Sequence, residues 1–123
     1  MTHSILIVDD NPVIRRTLRS CVLQGVDWQV CGEAADGRDA VEKAQHLKPD
    51  LIILDLSMPV MNGLQAAREL KRMNPSVQLL MFTSFKSPNL EKEAVAAGCT
   101  AVVEKSDLQH LFSSIHSLLM TGN

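Results

Sequence analysis

Five polar side chains follow short apolar runs in this sequence, and their types could support one chemistry. They are Asp9, Asp10, Asp55, Thr83 and Lys105. Three carboxylates that share a crevice repel one another and raise at least one pKa, unless a cation lies among them. Mg²⁺ suits such a group because it binds carboxylates, a carbonyl, waters and a phosphoryl oxygen. An ammonium and a hydroxyl can bind the other phosphoryl oxygens. The set therefore predicts phosphoryl transfer with an aspartate as nucleophile.

Each of these residues also has an ordinary structural explanation. An Asp-Asp pair after a strand often caps a helix, strand-end threonines are common, and most lysines are solvated. Asp55 is harder to explain in this way, because a carboxylate that ends the apolar run Leu51–Leu54 needs a partner. The prediction therefore depends on the joint placement of all five residues.

The apolar runs that precede these residues have the length and composition of β-strands. They cover residues 4–8, 28–33, 51–54, 77–82 and 100–103. Several of them are continuous rather than alternating, as in strands that helices cover on both faces. The run at 28–33 alternates more, which indicates a peripheral strand.

Helix start and stop signals lie between the strands. The starts are Asn11-Pro12, Asp36-Gly37, Asn62 with Gln65, Ser87-Pro88, and Ser106 with Gln109 as a capping box; the stops are Gly25, Lys48-Pro49, Asn74-Pro75 and Gly98. Five strand–helix units in a row predict a doubly wound α/β fold, in which a parallel sheet carries helices on both faces. We expect one domain over residues 1–123. Ligands bind outside the carboxyl ends of such strands, where the five polar residues would meet.

Composition excludes several other classes of protein. The formal charge of −2 leaves no basic footprint for direct nucleic-acid binding, and Arg15, Arg16 and Arg19 are read as a solvated helix face. No apolar run reaches the ~20 residues of a membrane helix, and the start lacks signal-peptide features. Three isolated cysteines predict small buried side chains rather than disulfides. We expect a soluble, cytoplasmic protein without membrane contact.

Four motifs in order resemble the receiver domains of two-component response regulators, over essentially the whole chain. They are Ile7-Val8-Asp9-Asp10, Asp55-Leu56-Ser57-Met58-Pro59-Val60-Met61-Asn62-Gly63, Leu80-Met81-Phe82-Thr83 and Val102-Val103-Glu104-Lys105. The resemblance implies a flavodoxin-like, five-stranded parallel sheet of order 2-1-3-4-5. The Lys105-Ser-Asp ending is similar to NarL/FixJ-type regulators.

The resemblance also implies a role for each site residue. Asp55 resembles the phosphoryl acceptor, and Thr83 and Lys105 resemble the residues that bind the phosphoryl oxygens. The implied ligands of Mg²⁺ are Asp10 directly, Asp9 through water, Asp55, and the backbone carbonyl of Ser57. A receiver of this kind is not an enzyme for other substrates, because it catalyses only its own phosphorylation and slow dephosphorylation.

The implied partners follow from the same resemblance. The phosphoryl donor is a phosphohistidine on a sensor histidine kinase or a phosphotransfer protein. Phosphorylation changes the surface around the fourth helix, the fifth strand and the fifth helix, and so controls an output domain or partner. A C-terminal DNA-binding output domain outside this chain and a homodimer formed on phosphorylation are implied as well. A stand-alone receiver and part of a longer regulator both remain open, and the ending slightly favours the longer protein.

Four positions depart from the family pattern or tune it. Val102 stands where the family usually has an aromatic residue that turns inward on switching. Ser106 replaces a common proline, so we expect a trans bond there and Ser106 as the cap of the last helix. Ser57 and Phe85 lie two residues beyond the acceptor and the threonine, where the family tunes dephosphorylation.

Two other functions remain in competition. A phosphohydrolase of the haloacid dehalogenase type also uses a strand-end aspartate and Mg²⁺, but it needs a carboxylate where this chain has Ser57. Turnover of a small phosphate ester would favour it. An interaction module that keeps the fold without phosphorylation is favoured by Val102 alone. Failure of Asp55 to accept a phosphoryl group would support that alternative.

Overall fold

The computed structural model describes residues 2–121, in which strands and helices alternate. The elements are β1 (His3–Val8), α1 (Pro12–Leu23), β2 (Trp28–Ala34), α2 (Gly37–Leu47), β3 (Leu51–Leu54), α3 (Gly63–Met73), β4 (Gln78–Thr83), α4 (Pro88–Ala96), β5 (Ala101–Glu104) and α5 (Leu108–Thr121). Every predicted strand is present, and its ends differ from the prediction by no more than one residue. Because the pattern alternates throughout, the polar residues that follow the strands gather at one edge.

The strands form a parallel sheet of order β2-β1-β3-β4-β5, which confirms the predicted topology. β2 lies at an edge of the sheet, as its alternating sequence indicated. β1, β3 and β4 lie inside, and the four residues of β3 are all buried. The chain order reverses direction at β1 and β3, which is the place where this class of sheet binds ligands.

Successive residues of each inner strand pack into two separate hydrophobic cores. One core receives Leu6, Ile52, Leu54 and Met81 from the strands and lies under helices α2, α3 and α4. The other receives Ile5, Ile7, Ile53 and Phe82 and lies under α1 and α5. This alternation follows from the two-residue period of a strand, so the part of each inner strand that lies between the two cores is apolar at successive positions. Val102 is buried in the first core.

Polar caps hold the starts of the helices where the sequence predicts them. Asn11, Asp36 and Ser87 accept backbone hydrogen bonds at the starts of α1, α2 and α4. Asn62 and Gln65 form the predicted capping box of α3. The prediction for the last helix is wrong: Asp107, not Ser106, accepts the N–H of His110 at 3.0 Å, and α5 begins at Leu108.

Two predictions about charged and sulfur-containing side chains have different outcomes. Arg15 and Arg19 do not belong to a freely solvated face, because both pair with Glu33 of β2. Arg16 is exposed, as expected. Cys21 and Cys99 are buried and Cys31 is half-buried, and all three are free thiols. Within residues 2–121, no helix has the length and apolar character needed to cross a membrane.

Candidate functional site

The strand ladder continues one residue beyond three strands and so fixes the backbone of the site. The Asp9 N–H donates to the carbonyl of Ala34 at 3.0 Å, and the Asp55 N–H donates to the carbonyl of Val8 at 3.0 Å. The Lys105 N–H donates to the carbonyl of Thr83, also at 3.0 Å. Each accepting carbonyl belongs to the last residue of the neighbouring strand, which is Ala34 in β2, Val8 in β1 and Thr83 in β4. Asp9, Asp55 and Lys105 are therefore held by the sheet itself rather than by mobile loops.

Three carboxylates and one ammonium meet at this edge. One oxygen from each of Asp9, Asp10 and Asp55 lies within 4.8 Å of the others. Asp9 and Asp55 are 1% and 5% exposed, whereas Asp10 is exposed. The ammonium nitrogen of Lys105 lies 2.8 Å from Asp9 Oδ2 and 3.3 Å from Asp55 Oδ2. The structure thus brings together four of the five residues that the sequence singled out.

The charges in this acidic pocket (Asp9, Asp10, Asp55 and Lys105) are not balanced. Burial raises the pKa of Asp55, and the charge of Asp9 raises it further; Lys105 and the Leu56 N–H offset this only in part. Burial by itself would lower the pKa of Lys105, but its contacts with Asp9 and Asp55 outweigh burial and raise that pKa. Three carboxylates against one ammonium leave two negative charges when all are ionised, so the pocket favours a divalent cation.

The available ligand atoms fit a hard cation such as Mg²⁺. Asp9 Oδ2 is buried and, apart from its ion pair with Lys105, has no hydrogen-bond donor within residues 2–121. The Asp10 carboxylate and the Ser57 carbonyl have no hydrogen-bond partner in the same range. Carboxylate and carbonyl oxygens are the ligands Mg²⁺ prefers, with water completing the shell. The residues present therefore fit the metal.

Thr83 lies at the same edge but has no hydrogen bond to the carboxylates in the part of the chain described. It is fully buried at the end of β4, where it pairs with Glu104 of β5. Its hydroxyl oxygen accepts the N–H of Phe85 at 3.1 Å. That bond uses a lone pair and leaves the hydroxyl proton free to donate. Ser57 and Phe85 are both exposed, so they can meet water or a partner at the rim.

The loop between β3 and α3 contains a close approach that sequence reasoning missed. The Gly63 N–H donates to the Leu56 carbonyl at 2.8 Å, and a Cβ at Gly63 would lie 2.1 Å from the carbonyl oxygen of Asp55. Gly63 therefore allows the start of α3 to pack directly on the backbone of Asp55. Val60 in the same loop has φ of 67°, a left-handed conformation that is costly for a β-branched residue. The Met-Asn-Gly string was the available signal, but its packing role is visible only in three dimensions.

Comparison with known proteins identifies the family. The response regulator receiver domain family matches residues 5–116. The chemotaxis protein CheY of Thermotoga maritima is 34% identical over 85% of this chain and 87% of that protein. The response regulator VraR of Staphylococcus aureus is 38% identical over 86% of this chain and 51% of that protein. The chain thus spans about half the length of VraR. A two-component response regulator of the LuxR family from Aurantimonas sp. SI85-9A1 superimposes with a TM-score of 0.93 at 29% identity, covering 98% of this chain and 86% of that one.

The chain belongs to the response regulator receiver domain family. This membership confirms the resemblance drawn from the four motifs, and the LuxR-family structure agrees with the NarL/FixJ-type reading. It makes the chain a phospho-accepting signalling domain of two-component systems. It also favours a receiver over the phosphohydrolase that the sequence left in competition.

Proposed function

We propose that this receiver is a Mg²⁺-dependent switch that accepts a phosphoryl group on Asp55 from a phosphohistidine. The partner that carries the phosphohistidine is a sensor histidine kinase or a phosphotransfer protein in the cytoplasm. The observation that carries the proposal is the acidic pocket, in which buried Asp55 lies with Asp9, Asp10 and Lys105 at one edge of the sheet. Its excess negative charge calls for a divalent cation, and its lysine offers a cationic contact for an incoming phosphoryl oxygen.

The proposed transfer is a displacement at phosphorus. An Asp55 carboxylate oxygen attacks, the bond between phosphorus and the donor imidazole nitrogen breaks, and the imidazole keeps the electron pair and takes a proton from water. Asp9, Asp10, Asp55 and the Ser57 carbonyl would hold Mg²⁺, which would neutralise the charge that builds up on the phosphoryl oxygens. Lys105 contacts one of those oxygens, and the Thr83 hydroxyl donates to another. Water later attacks the phosphorus, the bond between phosphorus and the Asp55 oxygen breaks, and inorganic phosphate leaves as the Asp55 carboxylate is restored.

Two features of this chain support the roles proposed for Lys105 and Asp55. Lys105 stays cationic because its two carboxylate contacts raise its pKa, so its charge is available over the physiological range. The Leu56 N–H donates to Asp55 Oδ1 at 2.8 Å and orients the acceptor carboxylate. Positioning and charge neutralisation together are the main contributions a protein makes to phosphoryl transfer.

The proposed output is a change in the surface formed by α4, β5 and α5. Thr83 ends β4, which pairs with β5, so movement of the hydroxyl toward a phosphoryl group would reach this surface directly. Val102 has no ring to turn inward and is packed with Leu90 and Ala94 of α4 in one core. We infer that the threonine and α4, rather than an aromatic side chain, carry the change. The surface would control a C-terminal DNA-binding output domain outside this sequence, and phosphorylation would favour a homodimer.

Intact mass after incubation with MgCl₂ and acetyl phosphate tests the acceptor. We expect one added phosphoryl group on the wild type and none on Asp55→Asn. Asp39→Asn is the matched control, because Asp39 lies on α2 and pairs with Lys43 away from the pocket. The control should be labelled like the wild type, and omission of MgCl₂ should abolish labelling in both.

Each alternative gives a different result in the same experiment. Labelling that persists on Asp55→Asn would place the acceptor elsewhere and refute the assignment. A folded wild type that takes no phosphoryl group would support the interaction module. Repeated consumption of acetyl phosphate far beyond one equivalent, without a stable adduct, would support a hydrolase.

A further inference from the structure

Asp10 differs from the other two carboxylates of the acidic pocket in that no described contact holds its side chain in place. It is exposed, and within residues 2–121 its side chain makes no hydrogen bond or ion pair. Its direction therefore depends on the backbone on either side. After it, the Asn11 N–H donates to Asp9 Oδ1 at 2.9 Å. Before it stands the planar peptide group that joins Asp9 to Asp10.

Arg15 holds that peptide group from α1. Its Nη1 donates to the carbonyl oxygen of Asp9 at 2.7 Å, and its Nε donates to Glu33 Oε1 at 3.1 Å. Its side chain is only 21% exposed. The guanidinium is planar and presents its donors in a fixed fork, so contact with Glu33 of β2 also fixes the direction of the bond to Asp9. A held carbonyl fixes the plane of the peptide, and with it the direction in which Asp10 leaves the strand.

We propose that Arg15 is a positioning residue for Mg²⁺ binding, which holds the Asp9–Asp10 peptide so that the Asp10 carboxylate faces the same cation as Asp9 and Asp55. The inference rests on the proposed function, because it assumes that this pocket binds Mg²⁺. It assigns no contact between Arg15 and the metal or the phosphoryl group. Glu33 contributes by anchoring the guanidinium, and the backbone carbonyl of Glu33 accepts a hydrogen bond from Lys43, which ties β2 to α2.

The sign of the effect separates positioning from simple electrostatics. A guanidinium near the pocket repels a divalent cation, so loss of its charge alone would strengthen Mg²⁺ binding. Loss of a positioning contact weakens it instead. Arg19 provides a matched control, because it donates to Glu33 Oε2 through Nε at 2.9 Å and Nη2 at 2.6 Å. Arg19 shares the anchor and the charge of Arg15, but it has no described hydrogen bond to Asp9.

The experiment measures the melting temperature of wild type, Arg15→Gln and Arg19→Gln over a series of MgCl₂ concentrations at constant ionic strength. A ligand that binds only the folded state raises the melting temperature by an amount set by the ratio of its free concentration to its dissociation constant, so the series yields that constant without any phosphorylation. We expect Arg15→Gln to weaken Mg²⁺ binding roughly tenfold, as is typical when a residue that orients a metal ligand is lost. Arg19→Gln should leave the constant unchanged or slightly improved.

The melting temperature without MgCl₂ reports any general loss of stability and is compared separately. An unchanged or tighter constant for Arg15→Gln would overturn the inference, as would equal weakening in Arg19→Gln. Arg15→Lys keeps the positive charge but lacks the planar guanidinium that contacts Glu33 and Asp9 together. It should therefore also weaken Mg²⁺ binding. It replaces the glutamine variant if that protein does not fold. If the melting temperature of the wild type did not change with MgCl₂, the proposed metal site and this inference would both be refuted.

Discussion

At the scale of single residues, Asp55, the proposed phosphoryl acceptor, is a buried carboxylate whose negative charge destabilises the metal-free fold. Asp55 is 5% exposed, and the only described partners of its carboxylate are the Leu56 N–H and the Lys105 ammonium. Lys105 is shared with Asp9, so one ammonium serves two buried carboxylates. Burial and the Asp9 charge together raise the pKa of Asp55 above its ordinary value of 3.8. A carboxylate with a raised pKa destabilises the folded state whenever it is ionised.

Asp55→Asn should therefore raise the melting temperature in metal-free buffer at neutral pH, by a few degrees. The amide keeps an oxygen for the Leu56 N–H but carries no buried charge. Between 3.8 and the raised pKa, the folded wild type binds more protons than the unfolded chain, so its stability falls as the pH rises through this window. The melting temperature of Asp55→Asn should exceed that of the wild type by the largest amount at pH values above this window. The difference should disappear as the pH falls below 3.8. Thermal unfolding followed by circular dichroism at several pH values measures it.

Glu42→Gln is the control for this measurement, because Glu42 is an exposed carboxylate on α2. Its replacement should change the melting temperature little at any pH. A lower melting temperature for Asp55→Asn at neutral pH would mean that the ion pair with Lys105 outweighs burial, and it would contradict the prediction.

At the scale of helices and strands, the elements could be predicted because each has a strong local signal. The inner strands contain uninterrupted apolar runs, at residues 5–8 of β1, 51–54 of β3 and 79–82 of β4. The capping residues Asn62 and Ser87 stand where the helices begin. The start of α5 was misplaced because Ser106 and Asp107 are both good caps. The choice depends on a turn in which the Asp107 N–H donates to the Glu104 carbonyl at 3.0 Å. This turn carries Lys105 toward the pocket, and nothing local in the sequence encodes it.

Asp107→Ala should lower the free energy of unfolding by about 1 kcal/mol, the usual cost of losing a helix cap. The reason is that the His110 N–H would lose its acceptor at the first turn of α5. Ser106→Ala should change it by only a few tenths of a kcal/mol, since Ser106 is exposed and has no described partner at this helix start. Urea unfolding of both variants compares them directly. A larger loss for Ser106→Ala would restore Ser106 as the cap.

Packing between elements explains why the sequence could name the carboxylates but not their supports. Arg15 was read as solvated because its contact with the Asp9 carbonyl crosses from α1 to the end of β1. Gly63 belonged to a recognised motif, but its closeness to the Asp55 backbone depends on how α3 docks against β3. Such contacts join residues that are distant in sequence, and they depend on the relative placement of elements rather than on local pattern.

Gly63→Ala should destabilise the protein by roughly 2–3 kcal/mol, although alanine is the better helix former. Its Cβ would meet the Asp55 carbonyl oxygen, a backbone atom that cannot move without shifting Asp55 itself. Gly32→Ala is the matched control, because there the Cβ would meet the flexible end of the Leu47 side chain at 2.8 Å. We expect the control to cost less than half as much in urea unfolding. If the two variants lost the same free energy of unfolding, the close approach of Gly63 to the Asp55 backbone would not explain the cost of Gly63→Ala.

At the scale of the whole molecule, the sheet separates a stable interior from an edge that is strained by charge. Both cores are continuous and apolar, and the buried charged residues Asp9 and Asp55 lie at the carboxyl end of the strands. The interior therefore supplies the stability that tolerates the repulsion at the edge. Binding of a divalent cation removes that repulsion in the folded state only, because the unfolded chain does not hold the three carboxylates together. Mg²⁺ should for this reason stabilise the entire fold and not just the loops around the pocket.

Mg²⁺ stabilisation should accordingly appear in global unfolding and should depend on Asp10. For wild type, the melting temperature should rise with MgCl₂, and the gain in stability reaches about 2.7 kcal/mol when the free ion is a hundredfold above its dissociation constant. Asp10→Asn removes an exposed charge from the pocket without opening the core, so it should fold normally while losing most of this response. Glu42→Gln removes a charge of the same sign from α2, and its melting temperature should still rise with MgCl₂ as that of the wild type does. CaCl₂ and NaCl at matched ionic strength separate specific binding from general screening. An equal MgCl₂ response in Asp10→Asn and wild type would exclude Asp10 as a ligand, because the loss of a ligand must weaken the binding of the ion.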